Sequence, residues 1–220
     1  MSSTARSSLV VGGVGIVLAS LVPLWTRVSY VFPQGFDVPS VAMTWQPYLG
    51  VLSAAVLVAS FAVLAFGVRG GTGVAGSSLV GKIALVLFAL CTLVVNLVGF
   101  VPLPTLPEGE YTGLGKTDLG AVILLGIASF AVAVLGTIAL AVASIVVLRA
   151  GVVHGVARWG LVVLAVVSVL SLLVNRIPVE TFGVIAFWGF SAELVVQLLL
   201  GIAFVVQRQR TAPSPTVQTV

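Results

Sequence analysis

The chain has 220 residues, of which 60% are hydrophobic and 7% charged, and its mean hydropathy is +1.26. A soluble domain of this length carries about 55 charged residues; this chain carries 10 basic and 6 acidic ones, for a net charge of +4. That is too little polar surface to coat a water-soluble globule, which excludes a soluble enzyme, a nucleic-acid-binding domain and a disordered chain.

Six apolar runs predict an all-α membrane protein built as a bundle of six transmembrane helices. An apolar helix of about 20 residues crosses a hydrocarbon core of about 30 Å. The runs are Ser8–Trp25, Tyr48–Val68, Leu79–Val101, Leu119–Leu148, Trp159–Val174 and Phe182–Gln207. The first is longer than a signal-peptide core and has no A-x-A cleavage site after it, so it is expected to be a retained span. The fourth has 30 residues, about 45 Å as a helix, and must tilt or project from the bilayer. Residues 1–210 are expected to form one transmembrane domain. Residues 211–220 are polar, contain two prolines and predict a disordered cytoplasmic tail.

The basic residues punctuate the apolar runs instead of forming a stripe, so the positive charge reports topology. With the N-terminus in the cytoplasm, Arg6, Arg69, Lys82, Arg149, Arg158, Arg208 and Arg210 fall inside with no acid among them. Arg27, Lys116 and Arg176 fall outside, with Asp37, Glu108, Glu110, Asp118 and Glu180. Seven basic residues inside against three outside predict N-in, C-in. Trp25, Tyr30, Phe32, Trp45 and Tyr48 flank the first outer loop and Tyr111 sits in the second, where aromatic rings prefer the headgroup level.

The chain carries an internal echo. Arg6, Lys82 and Arg158 precede the first, third and fifth spans at intervals of 76 residues. The two asparagines, Asn96 and Asn175, end matching strings, Leu93-Val94-Val95-Asn96 and Leu172-Leu173-Val174-Asn175, and each is followed by a proline, Pro102 or Pro178. Three helical hairpins of one orientation account for this; chance similarity among segments built from few residue types is the competing account.

Two phosphate-binding patterns occur between the second and third spans. Gly71–Gly76 fits G-x-G-x-x-G, and Gly76–Lys82 fits G-x-x-x-x-G-K. Both chemistries need a preceding strand that aims backbone N–H groups at phosphate, and here a membrane helix precedes them. The second also needs Ser or Thr where Ile83 stands. The expectation is a flexible cytoplasmic linker and no nucleotide. His154, the one histidine, lies in a short loop without visible ligand partners. Cys91, the one cysteine, excludes an intramolecular disulfide and is expected to be a small buried hydrophobe. No catalytic, cofactor-binding or metal residue is assigned.

Glu193 stands out. It lies about 16 Å from the outer end of the sixth span, near the midplane, where a charge is costly and faces a bundle interior or a water-filled cavity. Gln197 follows one turn later on the same face, and Gly189 and Gly201 extend that stripe. Small residues let helices approach and polar ones bond across. In one reading Glu193 holds the bundle or an oligomer together; in the other it lines a cavity and meets a proton, an ion or a substrate. Asn96, Asn175 and Arg176 are its candidate partners, although Arg176 is expected to snorkel to the outer headgroups. On the fourth span Gly126, Ser129, Ala133, Gly136 and Ala143 recur at helical spacing and predict a helix-packing face.

The fourth span running into Arg149, the Gly-containing loop and Arg158-Trp159-Gly160-Leu161 resemble small actinobacterial multi-pass membrane proteins of unknown function. The resemblance covers about 40 residues, agrees with the preference for arginine over lysine, and implies a bacterial plasma membrane. It implies no activity and transfers no site residue. With short inner loops and no paired carboxylates, metal cluster or nucleophile with a base, the sequence favours a non-enzymatic structural or accessory subunit. The alternative is a small transporter or channel, homo-oligomeric where several Glu193 residues meet. A membrane-embedded enzyme is the third reading. The implied partners are the lipid bilayer and a homo-oligomer or larger membrane complex, with no nucleic acid.

Overall fold

The structure is a computed structural model that describes residues 3–31, 40–68, 73–102, 118–153, 155–174 and 182–210. Its six helices are α1 (Ser3–Val31), α2 (Ser40–Phe66), α3 (Leu79–Val98), α4 (Leu119–Ala150), α5 (Val156–Val174) and α6 (Phe182–Arg210). In lipid an unpaired backbone N–H or C=O finds no water, so an apolar chain closes its hydrogen bonds within each helix. The ends are capped from the sequence. The Ser78 side chain accepts from the Gly81 N–H at 3.2 Å, and Asp118 Oδ1 accepts from the Gly120 N–H at 2.8 Å. Gly151 ends α4 at φ 63°, a left-handed conformation that suits glycine. Arg158 Nη2 then donates to the Leu148 carbonyl at 3.0 Å, satisfying one of the carbonyls a helix C-terminus leaves open.

Among the described residues five helices are long and apolar enough to cross a bilayer: Ser7–Thr26, Trp45–Phe66, Leu79–Val98, Leu119–Ala150 and Val156–Val174. Among the described residues α6 contributes the apolar stretch Ser191–Gln207. Leu18, Leu52, Leu124, Ile138, Leu170 and Leu199 are exposed, an apolar exterior suited to lipid. The protein is an all-α, multi-pass membrane protein.

The helices form a ring. Each packs on its two chain neighbours, and α6 closes on α1. The closing seam is tight: a Cβ built on Gly13 would lie 2.8 Å from the Gly201 carbonyl oxygen, and one on Gly201 would lie 2.8 Å from that of Gly13. Only glycine permits that approach. The seam between α3 and α4 is similar, with the Cβ of Cys91 2.9 Å from where a Gly136 Cβ would stand.

Three expectations change. The α2–α3 connection is no flexible linker where it is described: Val74 and Ala75 are buried, and the Val74 N–H donates to the Leu64 carbonyl at 2.7 Å. Its apolar residues fold under the bundle end. Helix α1 continues to Val31, past the expected end at Trp25, so Pro23 lies within the helix. The packing face of α4 is shorter than expected. Gly136 and Ala143 are buried, but among the described residues a Cβ on Gly126 would meet nothing within 4 Å.

Candidate functional site

A cavity of about 400 Å³ lies inside the ring, and all six helices line it. The polar lining comes from Ser53 on α2, Thr92 and Asn96 on α3, Thr137 on α4, Ser168 and Ser171 on α5, and Glu193 and Gln197 on α6. Glu193 is half-buried and accepts a hydrogen bond from Ser168 Oγ at 2.7 Å, joining α5 to α6. Gln197 is 5% exposed. Asn96 Nδ2 donates to the Thr92 carbonyl at 2.9 Å, and its Oδ1 lies where a Cβ on Gly50 would come within 3.0 Å. Glycine at position 50 thus makes room for the amide between α2 and α3. Glu193, Gln197 and Asn96, singled out from sequence, therefore share one cavity. Asn175, Arg176 and His154 lie outside the described residues.

Residue type alone did not single out the hydroxyls. Thr92 Oγ1 donates to the Phe88 carbonyl at 3.1 Å and Thr137 Oγ1 to the Ala133 carbonyl at 3.0 Å. Ser53 Oγ crosses from α2 to donate to the Ala19 carbonyl at 2.5 Å. That carbonyl is the one Pro23 orphans, since proline has no N–H to return to the residue four before it. Serine on a neighbouring helix is a standard repair for such a break in a membrane. Ala19, Pro23 and Ser53 all line the cavity, so the repaired backbone forms part of its wall.

The cavity has a floor. Each helix places one almost wholly buried apolar side chain beyond it, toward the end bearing the α2–α3 and α4–α5 turns: Ile16, Leu64, Leu85, Leu140, Leu164 and Leu200. Phe61 and Phe88 meet edge to face in the same region, centroids 5.4 Å apart and planes at 83°. Val74 and Val153 bury themselves under that end from the turns. At the other end a second cavity of about 340 Å³ runs between α1, α2 and α3. It shares Pro23, Gly50, Val95 and Asn96 with the first and reaches Thr26, Gln46 and Gly99, closer to the ends of α1, α2 and α3. The two form a funnel, polar in its depth and sealed at its base.

The phosphate-binding pattern takes another role. Gly81 and Lys82 lie in the first turn of α3, and Ser78 already accepts from the Gly81 N–H. Among the described residues no three His, Cys, Asp or Glu side chains gather to hold a metal. No protein-family model, curated protein or solved structure matches the chain.

Proposed function

We propose that this protein is a six-span carrier of the bacterial plasma membrane, with both termini cytoplasmic, that takes up a small polar solute into its central cavity. The observation that carries this reading is the cavity lined by all six helices, with Glu193 and a set of hydroxyls and amides in its wall. Pockets of this size hold small ligands with a few convergent polar groups. In a structural bundle, close packing would fill that space. The sequence alone favoured an accessory subunit on negative grounds; the cavity is a positive ground for transport.

The excess of basic residues at one end supports an inward floor and an outward funnel. The three-hairpin organisation gains support from the lining. Ala19, Val95 and Ser171 stand at the 76-residue interval that also separates Arg6, Lys82 and Arg158, and all three line the cavity.

Cys91 is a native probe, being the one cysteine in the chain and part of the lining. A membrane-impermeant maleimide added to cells carrying the full chain should label Cys91 from outside, and should fail on the cytoplasmic face of inverted vesicles. Labelling from neither face would reject the carrier reading; labelling from the inner face alone would reverse the funnel. Purification in mild detergent followed by mass spectrometry should yield this chain alone. A stoichiometric foreign subunit would return the accessory reading to first place.

A further inference from the structure

The cavity wall is not evenly polar around the ring. Thr92 and Asn96 on α3, Thr137 on α4, Ser168 on α5, and Glu193 and Gln197 on α6 bring hydroxyls, a carboxyl group and two amides to it. An amide carries N–H donors and a carbonyl acceptor, so this side gives hydrogen bonds as well as receives them. The arc formed by α1 and α2 is different. It presents Ala19, Pro23, Gly50, Ala54 and Leu57, and its hydroxyl, Ser53, donates its proton to the Ala19 carbonyl. The lining residues of both helices fall inside stretches, 7–26 and 45–66, whose side chains are all described. The sequence carries the same contrast. At the 76-residue interval Thr92 and Ser168 correspond to Ile16, and Thr137 corresponds to Phe61. Ile16 and Phe61 are wholly buried apolar side chains, standing where the later hairpins carry hydroxyls.

We propose that the cavity takes an amphipathic solute: a head with both hydrogen-bond donors and acceptors sits against α3–α6, and a hydrocarbon tail lies on the α1–α2 arc. This deepens the carrier reading and rests on it. In the ring α1 and α2 lie across from α4 and α5, so a molecule held by its head turns its other end toward α1 and α2. A second polar group at that end would be buried against carbon without a partner, which is costly. A hydrocarbon alone would strip water from the amides without replacing its hydrogen bonds. Val95, Leu172 and Leu194 interrupt the polar side, which limits the head to a few polar atoms.

The test is protection of Cys91 in the purified full-length protein, labelled with N-ethylmaleimide and compared with the denatured chain. The probes are uncharged amides, so the outcome does not depend on the charge of Glu193. Hexanamide should slow labelling about tenfold at ten times its dissociation constant, as occupancy requires. Each methylene between acetamide and hexanamide should tighten protection about fourfold. Hexanediamide, equally long but polar at both ends, should protect no better than acetamide. Leu57→Ser should weaken protection by hexanamide about tenfold and leave that by acetamide unchanged, whereas Thr137→Val should weaken both alike, about fivefold. If Leu57→Ser does not accumulate, the contrast between hexanamide and hexanediamide on the unaltered protein decides alone. Equal protection by hexanediamide, or by acetamide, overturns the proposal and leaves a ligand-binding cavity standing. Failure of hexanamide to protect a thiol that labels freely also overturns it, while the carrier reading still stands on the sidedness of labelling. A native thiol that never labels, while the denatured chain labels fully, removes the cavity and the carrier reading together.

Discussion

Ser53 and Pro23 form a coupled pair that neither residue reveals by itself. Proline at 23 opens the Ala19 carbonyl and serine at 53 closes it. Ser53→Ala should cost about 1–3 kcal/mol, the penalty for a buried acceptor left without a donor. Pro23→Ala supplies the missing N–H, so Ser53→Ala in that background should cost much less. A double-mutant cycle on thermal stability in detergent reads the coupling; additive losses would show that Ser53 does not repair the break. Glu193 poses a different question. Glu193→Gln keeps the shape and still accepts from Ser168 Oγ, so membrane abundance should hold. Glu193→Lys places a longer cation between α5 and α6 and should lower abundance, as seen on immunoblots of membrane fractions. Equal abundance of the two variants would mean that this position opens onto bulk water. Glu193, Gln197 and Asn96 were legible because a carboxylate or amide in an apolar run is conspicuous. The hydroxyls were not. Serine and threonine hide their proton on the carbonyl four residues back, as Ser20, Ser129 and Ser144 also do away from the cavity, so residue type alone does not mark those that line it.

At the scale of elements, α1 and α6 close the ring through Gly13 and Gly201. Gly201→Val must push backbone away from backbone, because a Cβ there already stands 2.8 Å from the Gly13 carbonyl oxygen and 3.0 Å from the Val17 nitrogen. Overpacking of this kind costs about 1–3 kcal/mol or more, so the variant should lose both thermal stability and membrane abundance. Gly126→Ala is the control on a helix of the same bundle. Among the described residues nothing lies within 4 Å of the added carbon, and alanine favours a helix over glycine by up to about 1 kcal/mol, so stability should hold or rise. A stability loss at Gly126 matching that at Gly201 would point to an unseen partner on α4. Helix positions were largely legible, since long apolar runs need only length to be recognised. Their ends were less so: α1 continues through Thr26 to Val31 because helix geometry outlasts the apolar stretch that announces it. Which face of each helix turns inward was hidden, because lipid is as apolar as the bundle interior and no amphipathic pattern separates the two.

The molecule as a whole is asymmetric along its axis, and its residues at 73–78 help make it so. A glycine-rich stretch suggested a mobile linker, but Val74 and Ala75 are buried beneath the bundle, closing the end where the basic residues gather. Above them the six apolar side chains and the Phe61–Phe88 pair separate the polar cavity from that end. A carrier must open this barrier in some other state, since transport needs alternating access around a fixed site, and among the described residues no helix lies inside the ring to move aside. The aromatic pair is where a breach should be easiest to make. Phe88 lines the cavity and packs on Phe61 below it, so Phe88→Ala joins the cavity to a ring-sized void. Such a truncation costs about 3–5 kcal/mol, the lost transfer free energy plus the cavity term, which leaves the fold intact if the helix seams hold. In inverted vesicles Cys91, three residues along α3, should then become reachable by impermeant maleimide from the cytoplasmic face. Phe88→Leu, which refills most of the space, should keep it sealed. A Phe88→Ala protein that remains folded and still shields Cys91 from that face would place the barrier lower, in the leucine layer and the buried turn beneath it.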